Sequence, residues 1–123
     1  MIVVEPYYFV TVKRVRRIGK SLSFILPSVM SRFLRIFGGR IFYVYIDDGG
    51  RLVYSLGQPR DRKAVKIKPR VQARHGDHEY YAITVPAEYS YDADIREGSK
   101  VVIKCGIDGL VVEKLEEGKK VGK

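Results

Sequence analysis

The sequence predicts a mostly β protein made of two similar four-stranded units with one short helix each. Three observations predict it. β-Branched and aromatic residues gather in short runs, "FVTVKRV", "LSFIL", "RIFYVYI", "VVIKC" and "LVVEKL", as strands require. Between them stand "DDGG" and "GIDG", which supply the positive φ angles of tight hairpins. Finally, sliding the chain by 59 places Pro27 on Pro86, Gly39 on Gly98, Gly50 on Gly109, Val53 on Val112 and Leu56 on Leu115 without a gap, with Val12 on Val71 and Ile36 on Ile95. These matches fall where backbone geometry restricts the residue, which is how an internal repeat betrays itself.

In the first unit the extended "FVTVKRV" leads through a turn at Ile18 to Ser21 into "LSFIL", where Leu22, Phe24 and Leu26 share one face. Pro27 ends that strand and suits a helix start, with Ser28 or Ser31 as the cap of a helical piece reaching about Leu34 and Gly38 and Gly39 as its terminator. "RIFYVYI" is apolar on both faces, as a strand buried on both sides is. The second unit repeats this order. A unit of this size has little core of its own, so the two are expected to pack together through their third strands, Ile41 to Ile46 and Val101 to Cys105. The expected organisation is unit one over 1–56, a basic linker or edge strand over 57–70, unit two over 71–115 and a flexible polar tail over 116–123. "KAVKIK" within 57–70 alternates as a lysine-protected edge strand does.

At 123 residues and 46% hydrophobic composition the chain can bury a core. Its one cysteine, Cys105, allows no internal disulfide and suits a reducing, cytoplasmic compartment. The apolar start "MIVV" is stopped by Glu5 and Pro6, and no apolar run approaches the ~20 residues that span a bilayer. The net charge of +9 favours a polyanionic partner. It is unevenly spread: residues 1–60 carry ten Lys and Arg against three acids, 61–70 five against one, and 71–123 eight against ten.

The densest stretch is "VKRVRRIGKSLSFILP". On a strand leading into a hairpin tip, Lys13 and Arg17 point one way and Arg14 and Arg16 the other, so both sides can reach a phosphate chain. Arginine offers a bidentate fork, Lys20 a point charge, and Ser21 with the turn amides neutral donors. Lys13, Arg14, Arg16, Arg17, Lys20 and Ser21 are therefore the candidate contacts to double-stranded DNA. Arg32, Arg35 and Arg40 are read as exposed structural residues. His75, His78 and Cys105 are too few for a zinc site, Cys105 reads as a small buried hydrophobe, and no nucleophile, phosphate loop or paired carboxylate appears. The chain is thus expected to be neither an enzyme nor a holder of metal or cofactor.

"RRIGKSLSFILP", Gly39 and "IFYVYIDDGGRLVY" resemble the swapped-hairpin DNA-binding domains of the AbrB, SpoVT and MazE type, with Lys20 where the MazE-like turn has asparagine. The resemblance covers Val12 to Leu56 well and Val71 to Leu115 weakly. It implies a swapped-hairpin β-barrel of two ββαββ units, present here as a degenerate tandem repeat. It further implies a cytoplasmic transcriptional regulator that binds duplex DNA through unit one, as a homo-oligomer, the dimer being expected. The alternative is an antitoxin-like or assembly module whose acidic unit two holds a protein partner.

Overall fold

Ten short strands and two single-turn helices follow one another along the chain in a computed structural model that describes residues 6–36, 39–76 and 78–116. They are β1 (Phe9–Arg14), β2 (Arg16–Ile18), β3 (Ser21–Leu26), α1 (Ser28–Phe33), β4 (Phe42–Ile46), β5 (Leu52–Ser55), β6 (Val65–Ile67), β7 (Arg70–His75), β8 (His78–Val85), α2 (Ala87–Ser90), β9 (Lys100–Gly106) and β10 (Gly109–Lys114). Two antiparallel sheets result, a six-stranded one in the order β1-β9-β10-β5-β4-β6 and a four-stranded one in the order β2-β3-β8-β7. The arrangement is mostly β with a half-barrel curl.

The repeats meet along four strand pairs. β3 lies against β8 with Phe24 directly opposite its repeat mate Ile83, and β5 lies against β10. Each first strand leaves its own repeat, β1 pairing with β9 and β6 with β4. Contrary to the expectation from sequence, the third strands β4 and β9 are not neighbours, because β5 and β10 stand between them. Apolar third strands are covered instead on both edges, by the fourth strand of their own repeat and the first strand of the other.

The shift of 59 holds from β3 onward but not before it. Lys13 stands opposite Val101 and Ile67 opposite Phe42; since Phe42 and Val101 are mates, Lys13 and Ile67 are too, 54 residues apart. Val12 thus matches Lys66, not Val71, and the second repeat begins at β6 inside the stretch read as linker. The difference lies in the hairpin arms. Arg16 pairs with Ser23 and Arg70 with Ala82, but the arm from Arg70 to Ala82 is five residues longer and carries a bulge between Val71 and Ala73. An exposed arm, which has no core to keep it in step, accepts such an insertion.

One core draws on both repeats. At its centre Tyr54 is wholly buried, its ring edge-on to Phe24 and Phe42 with both centroids 5.7 Å away. Its hydroxyl donates to the Thr84 carbonyl on β8 at 2.8 Å, and burial pushes the phenol well above its ordinary pKa. A smaller cluster of Tyr45, Val53 and Val111, with Tyr7 and Ala64 against it, closes the outer face of the larger sheet.

The helices end differently from the expectation. Neither Ser28 nor Ser31 caps α1; Pro27 occupies the N-cap, and Ser31 Oγ donates back to the Ser28 carbonyl. Its stop is Arg35 at φ 57°, with Arg35 N–H on the Arg32 carbonyl and Ile36 N–H on the Ser31 carbonyl, the paired bonds of a Schellman motif. Asp94, also at φ 57°, does the same after α2 with Tyr91 and Ser90. Gly38 lies outside the described residues, whereas Gly39 and Gly98 take φ 94° and 92° ahead of the third strands. A Cβ at either would meet nothing, but one at Gly109, φ 150°, would be driven into the Tyr54 backbone carbonyl. Gly98→Ala should therefore cost about 1 kcal/mol from backbone strain alone. Gly109→Ala should cost clearly more, because the β5–β10 seam must open. Urea unfolding of both variants measures the difference, and equal losses would show that the seam is not tightly closed there.

Candidate nucleic-acid interface

Strand parity decides which side chains the four-stranded sheet offers to solvent. Phe24, Leu26, Ile83 and Val85 face the core. The opposite face carries Ser21, Ser23 and Ile25 from β3 and Tyr80, Ala82 and Thr84 from β8. Arg16 opposes Ser23 and Arg70 opposes Ala82, so both arginines flank this same face, one on each edge strand. With strands ~4.8 Å apart and ~3.4 Å per residue, their backbones are about 15 Å apart. Between them Ser23 and Ala82 are buried, and Ser21, Ile25, Tyr80 and Thr84 are half-buried.

The cations sit where the chain crosses from one sheet to the other. Val15 and Pro69 are the two crossover residues, both buried and mates under the shift of 54. Arg14 and Arg16 bracket the first, and Lys68 and Arg70 bracket the second, all four exposed. A buried crossover turns its neighbours outward.

The predicted residues divide into two groups. Arg14 Nη1 donates to the Gly98 carbonyl at 2.8 Å, and Arg17 Nε to Glu97 Oε1 at 3.2 Å, so both are tied to the loop ahead of β9. Arg17 and Glu97 remain half exposed, and such a pair is worth little in water. Lys20 is exposed at the tip beside Gly19, whose φ of 64° makes the turn, while Lys13 is half-buried in β1 and Ser21 half-buried on the open face. Sequence reasoning missed Lys68 and Arg70. The one available signal was "KAVKIK" as a strand followed by Pro69, and the gapless register hid it.

On the second arm Arg74 pairs with Glu79 at 2.8 Å, and Tyr81 also donates to Glu79 at 2.6 Å. These two donors, Tyr81 first, hold the Glu79 carboxyl below its ordinary pKa. Arg74 is thus occupied, whereas Arg70 has no ion pair among the described residues. His75 stands edge-on to Tyr80, and the side chain of His78 lies outside the described residues. Cys105 is fully buried in the core, and that burial pushes its thiol up to about 12, far from a reactive thiolate. Among the described residues no three His, Cys, Asp or Glu side chains gather as metal ligands. None of the described helices is long and apolar enough to cross a membrane.

No protein-family model matches the chain, and neither a curated protein nor a solved structure matches it significantly.

Ser23 Oγ is buried without a hydrogen-bond partner among the described residues. Its repeat mate is Ala82, at 2% exposure, so the same place accepts a side chain with no hydroxyl. Removing an unsatisfied buried hydroxyl relieves its desolvation cost. Ser23→Ala should leave the melting temperature unchanged or raise it; a clear drop would mean that the hydroxyl is satisfied in solution.

Proposed function

We propose that the protein is a DNA-binding regulator of the AbrB and SpoVT type, a tandem swapped-hairpin barrel that lays the outer face of its β2-β3-β8-β7 sheet on duplex DNA. One observation carries the reading: Arg16 and Arg70 occupy matched positions on the two edge strands of one sheet face, with the exposed Lys68 beside Arg70. Two guanidinium forks about 15 Å apart suit phosphates on the two sides of a major groove ~12 Å wide. The exchange of first strands between repeats further supports the swapped-hairpin assignment. Lys20 and Ser21 extend the contact along the first arm, whereas Arg17, opposite Leu22, lies on the other face of the sheet and Lys13 stays in β1. Glu97 lies against Arg17 and weakens that end.

Fluorescence anisotropy on a random duplex across a salt series tests this. Each phosphate neutralised contributes about −0.9 to the slope of log affinity against log salt. Arg16→Ala and Arg70→Ala should each flatten the slope by about one. Lys104→Ala, on the other sheet and paired with Glu113, should leave it unchanged. Absence of duplex binding by the wild type at low salt would refute the DNA reading. An effect of Arg16→Ala without one of Arg70→Ala would confine the interface to the first arm.

A further inference from the structure

The two ends of the larger sheet occupy equivalent places in the fold but are protected very differently. β6 is three residues long and carries Lys66, with Lys63 and Lys68 beside it, the usual defence of a strand edge. β1 is six residues long, and the mate of Lys66 on it is Val12, 48% exposed, next to Val10 at 61%. Tyr8 and Phe33, 5.4 Å apart and both exposed, continue the apolar strip.

The backbone on that edge is available too. Val15 N–H bonds to the Ser99 carbonyl, and bonded residues alternate along an antiparallel ladder. Lys13, Thr11 and Phe9 therefore turn their amides toward β9, while Val10, Val12 and Arg14 turn theirs outward. Among the described residues no strand lies beyond β1.

We infer that β1 is a self-association edge on which a second copy of this chain pairs antiparallel about Thr11, joining two six-stranded sheets into one. The occupant is a second copy because this strand is complementary to itself in that register. Val10 falls opposite Val12 of the partner subunit, and the outward amides meet outward carbonyls at both. The pairing is confined to the strand itself, since Tyr8 lies ahead of β1 with its own amide on the Cys105 carbonyl. The like charges stay apart, since each Arg14 faces the far end of the other strand. A two-fold contact of this kind closes on itself and yields a dimer rather than a fibre. The inference stands apart from the DNA reading, since it uses neither Arg16 nor Arg70.

Sedimentation equilibrium of the full chain in high salt without DNA tests it, together with two variants. The wild type should show a concentration-dependent monomer–dimer equilibrium. Val12→Lys, which installs the residue carried by the protected edge, should weaken the dimer at least tenfold while leaving the melting temperature near wild type. Thr11→Cys should form an intermolecular disulfide on mild oxidation. In this register the two Thr11 residues face each other as a non-bonded pair with Cα atoms about 4.5 Å apart, within disulfide range. The buried Cys105 does not compete. A wild type that stays monomeric from micromolar to millimolar concentration would overturn the inference, as would a dimer that Val12→Lys leaves intact. Failure of Thr11→Cys to cross-link a dimer would overturn the register.

Discussion

The seam between β5 and β10 is the constraint on which the rest of the structure depends. Neither repeat has a complete sheet of its own, because its first strand belongs to the other repeat's third strand. Joining the two fourth strands back to back brings the third strands to the right distance to receive those crossing strands. Gly109 lets β10 approach the Tyr54 carbonyl as closely as the pairing requires, and the Tyr54 ring then fills the space between Phe24 and Phe42. Its hydroxyl reaches β8 in the other sheet. A buried phenol needs such an acceptor, so the hydrogen bond fixes the position of one sheet against the other as well as satisfying a polar group.

The basic face follows from this closure. A first strand that must lie in one sheet and continue into the other has to bend, and it bends at a buried residue, Val15 in one repeat and Pro69 in the other. The residues on either side are at the surface, so the same geometry repeated twice gives two sets of exposed cations, of which Arg16 and Arg70 flank one sheet face. Two acidic residues of the second repeat, Asp94 and Glu79, are engaged away from it. Asp94 is bound by Lys114 at 3.0 Å, which holds its carboxyl below the ordinary range, and Glu79 is engaged by Tyr81 and Arg74.

Much of the fold was legible because burial enforces a pattern. The strands from β3 onward in each repeat, the positive φ of Gly39 and Gly98 and the repeat itself were all readable from period-two alternation and turn chemistry. What was not legible was whatever lay outside that discipline. The five-residue difference between the arms leaves no trace in hydrophobic periodicity, since β7 is exposed along its whole length. The helix stops at Arg35 and Asp94 were missed because the expectation looked for glycine, whereas an exposed arginine and an exposed aspartate tolerate the left-handed region well enough when two backbone bonds hold them. Alternation says which face of a strand is buried, not which strand lies beside it, so it left the exchange of first strands open. Of the candidate interface, Arg16 was visible as part of a cation run, but Arg70, outside that run and behind Pro69, could be placed opposite it only by the register of the sheet.

If each repeat completes the other, neither can open alone. Native-state hydrogen exchange, followed by mass spectrometry through increasing denaturant, measures this directly by comparing the amides of β3, β4 and β5 with those of β8, β9 and β10. The slowest amides in both sets should share one opening free energy, equal to that of global unfolding. Loss of protection in one repeat at a lower free energy, with the other still closed, would contradict it.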